Sequence, residues 1–282
     1  MTQIKKLFKR NQTALLLSGV VILALLIFIP AKLKDSAPVV KTQAVLSTLT
    51  LTTIPDQRTD VEIPILMYHH IRDYNNPSDQ IGSNLSVSLS NFQQQLDFLK
   101  SNGYMTITFS DLNLFPQKAL PDKPIILTFD DGYADNYQAF TSLKKNGQLG
   151  VFYIISGYLG RAEHLTASQI KEISDSGMEI GSHSQSHPDL TGLDSTKLAL
   201  ELTSSKSTLE EITGKPISSL CYPAGKYNQL VATAVGNSNY LSAVTTKSGI
   251  ASTRSPKYEL SRVRINPNDS LKIFAAKISQ ND

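Results

Sequence analysis

From Glu62 onward, short runs rich in β-branched and aromatic residues alternate with stretches whose apolar positions recur every three or four residues. The strand-like runs fall at 63–68, 104–107, 124–129, 150–155, 178–182, 217–222, 241–246 and 260–265. Pro124-Ile-Ile-Leu-Thr-Phe129 is almost continuously apolar, the pattern of a strand covered on both faces. Ser90 stands before Phe92, Leu96 and Leu99 in a stretch that stops at Gly103, which predicts a helix with Ser90 as its N-cap. A second, longer helix is predicted from Ser195 through Leu198, Leu202, Leu209 and Ile212 to Gly214. Strands and helices in alternation imply an α/β fold on a parallel sheet, closed into a barrel when the strand count nears eight.

The first 60 residues follow a different pattern. Between Arg10 and Lys32 lie 21 uncharged residues, nearly all apolar from Ala14 to Ile29, long enough to span about 30 Å of hydrocarbon as a helix. Lys5, Lys6, Lys9 and Arg10 precede it, so the positive-inside rule leaves the N-terminus cytoplasmic and sends the chain after Lys34 outward. A cleaved signal is the competing reading. No clean Ala-x-Ala site or lipobox cysteine follows, and residues 1–34 are read as a retained transmembrane signal-anchor. Residues 35–60 hold six Thr and two Ser with no aromatic residue and no sustained periodicity, which predicts a flexible linker ahead of a body at 61–282.

Charge changes the picture only once it is located. Of the formal net +3, residues 1–34 alone contribute +6, so the remainder carries −3, a mildly acidic balance that argues against a nucleic-acid partner. The single cysteine, Cys221, excludes an intramolecular disulfide and every Cys-x-x-Cys site, so any metal must be held by His, Asp or Glu. Cys221 itself reads as a small buried hydrophobe.

The residues with most chemical potential stand directly after predicted strands. His69 follows Ile65-Leu-Met-Tyr68, Asp130-Asp131 follows Ile125-Ile-Leu-Thr-Phe129, and His183 follows Met178-Glu-Ile-Gly-Ser182. In a parallel barrel these ends converge on one face. Adjacent carboxylates on extended backbone diverge, so one can bind a metal while the other handles protons. His183 and His187, four apart, can face one cation on a curled loop, and with Asp131 they make a two-His, one-carboxylate set suited to a catalytic divalent ion.

Thr128-Phe-Asp-Asp-Gly132 and His183-x-x-x-His187-Pro resemble the first two motifs of the polysaccharide deacetylase family, carbohydrate esterase family four, and the resemblance spans about residues 61–282. It implies a distorted (β/α)7-8 barrel, with Asp130 as general base and Asp131, His183 and His187 as ligands of one divalent metal, Zn²⁺ with Co²⁺ or Ni²⁺ as alternatives. The third motif departs from the family's Arg-x-Pro-Tyr and reads Cys221-Tyr-Pro-Ala-Gly225. Tyr222, Pro223, Ala224 and Gly225 are expected on the substrate side of the site. Arg262, in Leu260-Ser-Arg-Val-Arg264, is grouped with them as the candidate replacement for the missing guanidinium. No histidine follows His187, so the family's C-terminal acid motif is absent. Ile65-Leu-Met-Tyr-His69-His-Ile71 resembles instead the N-terminal version found in biofilm poly-N-acetylglucosamine deacetylases, which makes His69 the general acid. Tyr222-Pro-x-Gly-x-Tyr227-Asn fits the same subgroup.

The remaining candidates read as structure. His70 should point away from His69, His164 should be solvated, and Asp135 should cap the following helix. The expectation is thus a monomeric, membrane-anchored, extracytoplasmic, metal-dependent deacetylase of an N-acetylated cell-wall or exported polysaccharide. The alternative is a non-catalytic glycan-binding module on a degenerate barrel.

Overall fold

The computed structural model describes residues 55–279. The predicted anchor and most of the predicted linker lie outside the described residues. Among the described residues, no helix is long and apolar enough to cross a membrane.

Seven parallel strands close into a barrel in simple sequence order. They are β1 (Ile65–Tyr68), β2 (Pro124–Phe129), β3 (Val151–Ile154), β4 (Glu179–Ser182), β5 (Ser219–Cys221), β6 (Ser242–Ser248) and β7 (Leu260–Arg264). Each pairs in parallel with the next, and β1 closes the ring by pairing with β7 through Leu66↔Val263 and with β2 through Ile65↔Ile126 to Tyr68↔Phe129. The run predicted at 104–107 does form a strand, Met105–Thr106, but it is not a barrel stave. It pairs with the N-terminal half of β2 (Met105↔Pro124), whose C-terminal half pairs with β3 (Phe129↔Phe152). The ring therefore holds seven strands.

Helices α1 (Leu89–Ser101), α2 (Asn136–Asn146), α3 (Ala167–Asp175), α4 (Ser195–Thr213), α5 (Gln229–Asn237) and α6 (Leu271–Ser279) surround the barrel. The cap of α1 is Ser88 rather than Ser90: Ser88 Oγ accepts from the Asn91 N–H at 3.1 Å, two residues earlier than the apolar pattern suggests. α4 matches its prediction, with Asp194 as N-cap and Gly214 in the left-handed region (φ 68°) closing its C-terminus. Among the described residues no helix joins β6 to β7. The chain there contributes Ala251–Ser252 to an antiparallel pair with Glu62–Ile63, which distorts the regular repeat.

Alternation along each strand sorts its side chains. Leu66, Tyr68, Ile125, Leu127, Phe129, Phe152, Leu220 and Val263 face the helices. Ile65, Ile126, Val151, Tyr153, Cys221, Val244 and Leu260 fill the barrel interior. Gly181 is required where β4 passes the Tyr153 ring, since any Cβ at 181 would collide with it. Residues 55–60, the end of the predicted linker, are held against the segment 116–121. The Asp56 N–H donates to Pro116 O (2.9 Å), the Asp56 carboxylate pairs with Arg58 (2.6 Å), and Arg58 donates to Pro121 O (3.1 Å). This stretch belongs to the body and not to a free tether.

Candidate active site

The interior face of each strand, continued past its C-terminal end, delivers the site. On β2 the interior series is Ile126, Thr128, Asp130, and on β1 it runs from Ile65 through Met67 to His69. β5 contributes Cys221, β7 contributes Arg262, and His183 follows β4. All reach one mouth, as the strand-end argument anticipated.

Asp130 is 2% exposed and Arg262 1%. The guanidinium grips the carboxylate with two parallel bonds, Nη1 to Oδ1 and Nη2 to Oδ2, both 2.7 Å. Burial pushes the Asp130 carboxyl up, but the charge and hydrogen bonds of Arg262 outweigh it and hold the group below the usual carboxylate range. Arg262 thus lies beneath Asp130, buried away from any substrate surface, and the grouping with the substrate side gives way to support of the carboxylate. Cys221 is more than a buried hydrophobe, because its Sγ lies 3.3 Å from Arg262 Nη2 and 3.5 Å from Asp130 Oδ2. His69 Nε2 lies 3.8 Å from Asp130 Oδ2, and its backbone carbonyl accepts from Asn136 Nδ2 (2.6 Å).

Asp131 turns the other way, which its φ of 71° and that of Gly132 (70°) make possible. Its Oδ1 is 3.3 Å from His183 Nε2 and 3.6 Å from His187 Nε2, and one donor atom from each of the three falls within 4.8 Å of the others. His183 Nδ1 sits 2.7 Å from Cys221 O. That contact takes the hydrogen on Nδ1 and turns Nε2 toward Asp131; against burial, Cys221 and Asp131 raise His183 well above its ordinary value, so Nε2 holds either a proton or, in its place, a metal ion. The loop is tied from below by Glu201, which accepts from the Gln185 N–H (2.9 Å), the Ser186 N–H (2.8 Å) and Ser186 Oγ (2.6 Å). Ser184 Oγ accepts from the His187 N–H at 2.9 Å. Among the described residues five non-glycine positions have positive φ, and Asp131, Ser184, His187 and Ala224 are four of them. Strain is concentrated where these loops present their side chains.

Burial raises the Asp131 carboxyl, and the hydrogen bond and charge of His183, with His69 and His187 beyond it, bring it well below its ordinary value. Burial, reinforced by the charge of His183, lowers His187 and favours its neutral imidazole. An ionised carboxylate and two imidazole nitrogens converging at the mouth fit a divalent ion of the zinc type. A second set, Asp130, His183 and Cys221, is equally close. There the Arg262 guanidinium already supplies the cation, so that set offers no metal site.

In the third-motif loop, Tyr222 and Pro223 are buried and form its footing; Tyr222 stacks on Tyr227 at 4.9 Å and donates to Tyr258 O (3.1 Å). Only Ala224 and Gly225 reach outward, with φ of 51° and 70°, and a Cβ on Gly225 would collide with the Thr246 side chain. The Gly225 and Lys226 N–H groups turn inward to Tyr222 O (2.8 Å) and Pro223 O (3.0 Å), which leaves the Ala224 N–H as the loop's candidate donor.

His70 points away from Asp130, as alternation required. Its Nδ1 lies 2.7 Å from Asp135 Oδ2 and its ring stacks on Tyr133 at 3.7 Å. Asp135 occupies the N-cap position of α2, but its side chain makes no capping bond; it serves His70 and the Ile71 N–H (3.1 Å) instead. His164 is half-buried between Tyr133 (5.3 Å) and Tyr158 (5.1 Å) rather than solvated. Sequence reasoning missed Glu201, Tyr133 and Thr128. Thr128 alone carried a signal, standing two residues before Asp130 on the same strand face.

The geometry of Asp131, His183 and His187 leads to a direct measurement. Purified protein dialysed against Zn²⁺ should retain about one ion per chain by elemental analysis, and Asp131→Ala or His183→Ala should weaken binding by at least about tenfold. Retention of a full equivalent by both variants would place the metal elsewhere.

A family model described as polysaccharide deacetylase matches residues 117–242. That span includes Asp130, Asp131, His183, His187 and the 222–225 loop, while His69 and Arg262 fall outside it. The Bacillus subtilis protein YxkH, named for polysaccharide deacetylases, is 35% identical over 220 residues, covering 77% of this chain and 76% of its own. The structure of BC0361, a polysaccharide deacetylase from Bacillus cereus, superposes with a TM-score of 0.72 at 34% identity over 78% of this chain and 70% of that one. The Streptococcus pyogenes deacetylase PplD, solved in complex with acetate, gives 0.73 at 33% identity over 78% of this chain and 100% of its own. With its barrel of seven strands and its carboxylate and imidazole groups gathered at one mouth, the chain belongs to the polysaccharide deacetylase family.

Proposed function

We propose that the protein hydrolyses N-acetyl groups of N-acetylglucosamine-type residues in a cell-wall or exported polysaccharide, in a metal-dependent reaction. The observation that carries this reading is one mouth holding two differently tuned carboxylates 130 and 131, one gripped by a guanidinium and the other facing two imidazoles. The acetate bound to the Streptococcus pyogenes relative is the product such a reaction releases.

Held by Asp131, His183 and His187, a divalent ion, Zn²⁺ or in its place Co²⁺ or Ni²⁺, would polarise the acetyl carbonyl and acidify water. Asp130, kept ionised by Arg262, accepts the proton of the attacking water. The N–H of the exposed Ala224 would donate to the carbonyl oxygen as it gains charge. His69 delivers a proton to the departing nitrogen. Burial lowers its pKa against the opposing pull of Asp130 and Asp131, so its imidazolium gives up the proton readily.

The barrel acts, in this reading, as a monomer outside the cell membrane, anchored by residues 1–34. Protease added to intact, wall-stripped cells should then release a fragment of the body's size, whereas a mature N-terminus just after Ala31 would show cleavage.

Incubation with N-acetylglucosamine oligomers should release acetate without shortening the chains, and a chelator should abolish the release until Zn²⁺ is returned. Shortened chains, or full activity in metal-free protein, would overturn the reaction. Under the same assay His69→Ala should lower turnover by about 10²–10⁴ with unchanged metal content, and His70→Ala should be far milder. The reverse order would transfer the acid role to His70.

The pH profile reports Arg262. Asp130 works as a base only when ionised, so activity rises as pH passes its pKa, and Arg262 keeps that pKa below the ordinary value of about 3.9. In Arg262→Gln burial is no longer opposed, and the low-pH limb should move upward by about one unit or more. An unmoved limb would show that the guanidinium does not tune the base.

A further inference from the structure

The Arg262 guanidinium is enclosed by protein on every side, and its hydrogen-bond inventory closes completely. Nε donates to Thr245 O at 2.8 Å. Nη1 donates to Asp130 Oδ1 at 2.7 Å and to Thr128 Oγ1 at 3.0 Å. Nη2 donates to Asp130 Oδ2 at 2.7 Å and to Cys221 Sγ at 3.3 Å. A guanidinium has five N–H donors, and these five acceptors match them one for one. Thr128 Oγ1 is itself oriented by donating to Leu66 O at 2.7 Å, which turns its lone pairs toward Nη1. Sulfur at 221 has the same relation to Nη2. It also lies 3.5 Å from Asp130 Oδ2, so the thiol hydrogen can point at the carboxylate while the sulfur accepts from the guanidinium.

The geometry points to Cys221 as a positioning residue for Asp130, acting through Arg262: its sulfur accepts the fifth guanidinium N–H and so keeps the fork in the plane that grips both carboxylate oxygens. The inference rests on the proposed deacetylase reading for its kinetic consequence, and on the contacts alone for its structural one. Cys221 is 0% exposed, so no solvent molecule can take the place of the sulfur without rearrangement. A buried donor left without an acceptor costs far more than an ordinary hydrogen bond contributes, and the fork would turn to recover one. Turning the rigid guanidinium plane about the Cδ–Nε bond breaks the parallel pair with Asp130, because the two contacts require a shared plane.

The test compares two substitutions of similar size. Cys221→Val fills the space without an acceptor, and Cys221→Ser restores one, at the cost of a few tenths of an ångström in reach. Both are assayed for acetate release, bound metal and thermal unfolding, and the Val variant is crystallised. Cys221→Val should lower kcat about tenfold or more with KM and metal content within about twofold of the parent, and Cys221→Ser should stay within about threefold on all three. A purely packing role would not distinguish Ser from Val in kcat while sparing KM. In the crystal, at least one of the two Arg262–Asp130 contacts should open beyond hydrogen-bonding range. Unchanged kcat in the Val variant, equal damage by Ser and Val, or a Val structure with both contacts intact would each overturn the inference. If the parent protein releases no acetate at all, the deacetylase reading fails on that arm, and the crystal structure alone decides the role of Cys221.

Discussion

The ion pair between Asp130 and Arg262 is the constraint around which the rest of the structure is arranged. Two opposite charges, 2% and 1% exposed, lie at the end of a barrel otherwise filled by Ile65, Ile126, Val151, Val244 and Leu260. Removing both from water costs several kcal/mol per ion, and their attraction repays this only with near-ideal geometry and every remaining hydrogen bond made. The barrel meets that condition through register. Thr128 and Asp130 are two apart on one face of β2, Arg262 faces them from β7, and β1 lies between as the neighbour of both strands. A one-residue slip of β2 would replace Asp130 with Phe129 on the interior face and leave the guanidinium buried without its partner.

A second consequence of that geometry is the division of labour between neighbouring carboxylates. Asp130 continues the strand, whereas Asp131 enters the left-handed region and reaches the imidazoles. Identical side chains one residue apart thereby meet a guanidinium in one case and two histidines in the other. The loop carrying His183 and His187 is strained in the same way, at Ser184 and His187, and the Glu201 carboxylate from α4 holds it there by accepting three bonds. Backbone strain of this kind persists only where surrounding contacts overdetermine it. Here those contacts come from helices packed outside the barrel, so the outer layer is part of the support of the site.

Periodicity and motif spacing made much of this legible in advance. All eight strand-like runs form strands, and α4 runs from Ser195 to Thr213 as its apolar repeat requires. These features depend on residues within one turn or one strand of each other, where side-chain direction follows from backbone geometry alone. The same local rule placed Asp130, His69 and His183 at strand ends, turned His70 away from His69, and set Asp131, His183 and His187 close enough to share a cation.

What the tertiary structure alone decided involves partners far apart in sequence or competition between them. Whether the run at 104–107 joins the ring depends on which half of β2 it meets, and closure at seven strands followed from that pairing. Asp135 was free to cap α2 until His70 and the Ile71 N–H, more than sixty residues earlier, offered better bonds. Arg262 meets Asp130 across 132 residues and Cys221 meets the same carboxylate across 91, so neither contact leaves a trace in local pattern. A sequence determines which face of a strand a side chain occupies, because alternation is built into the backbone. Which side chain stands opposite depends on strand order and register, and these are set only when the whole barrel closes.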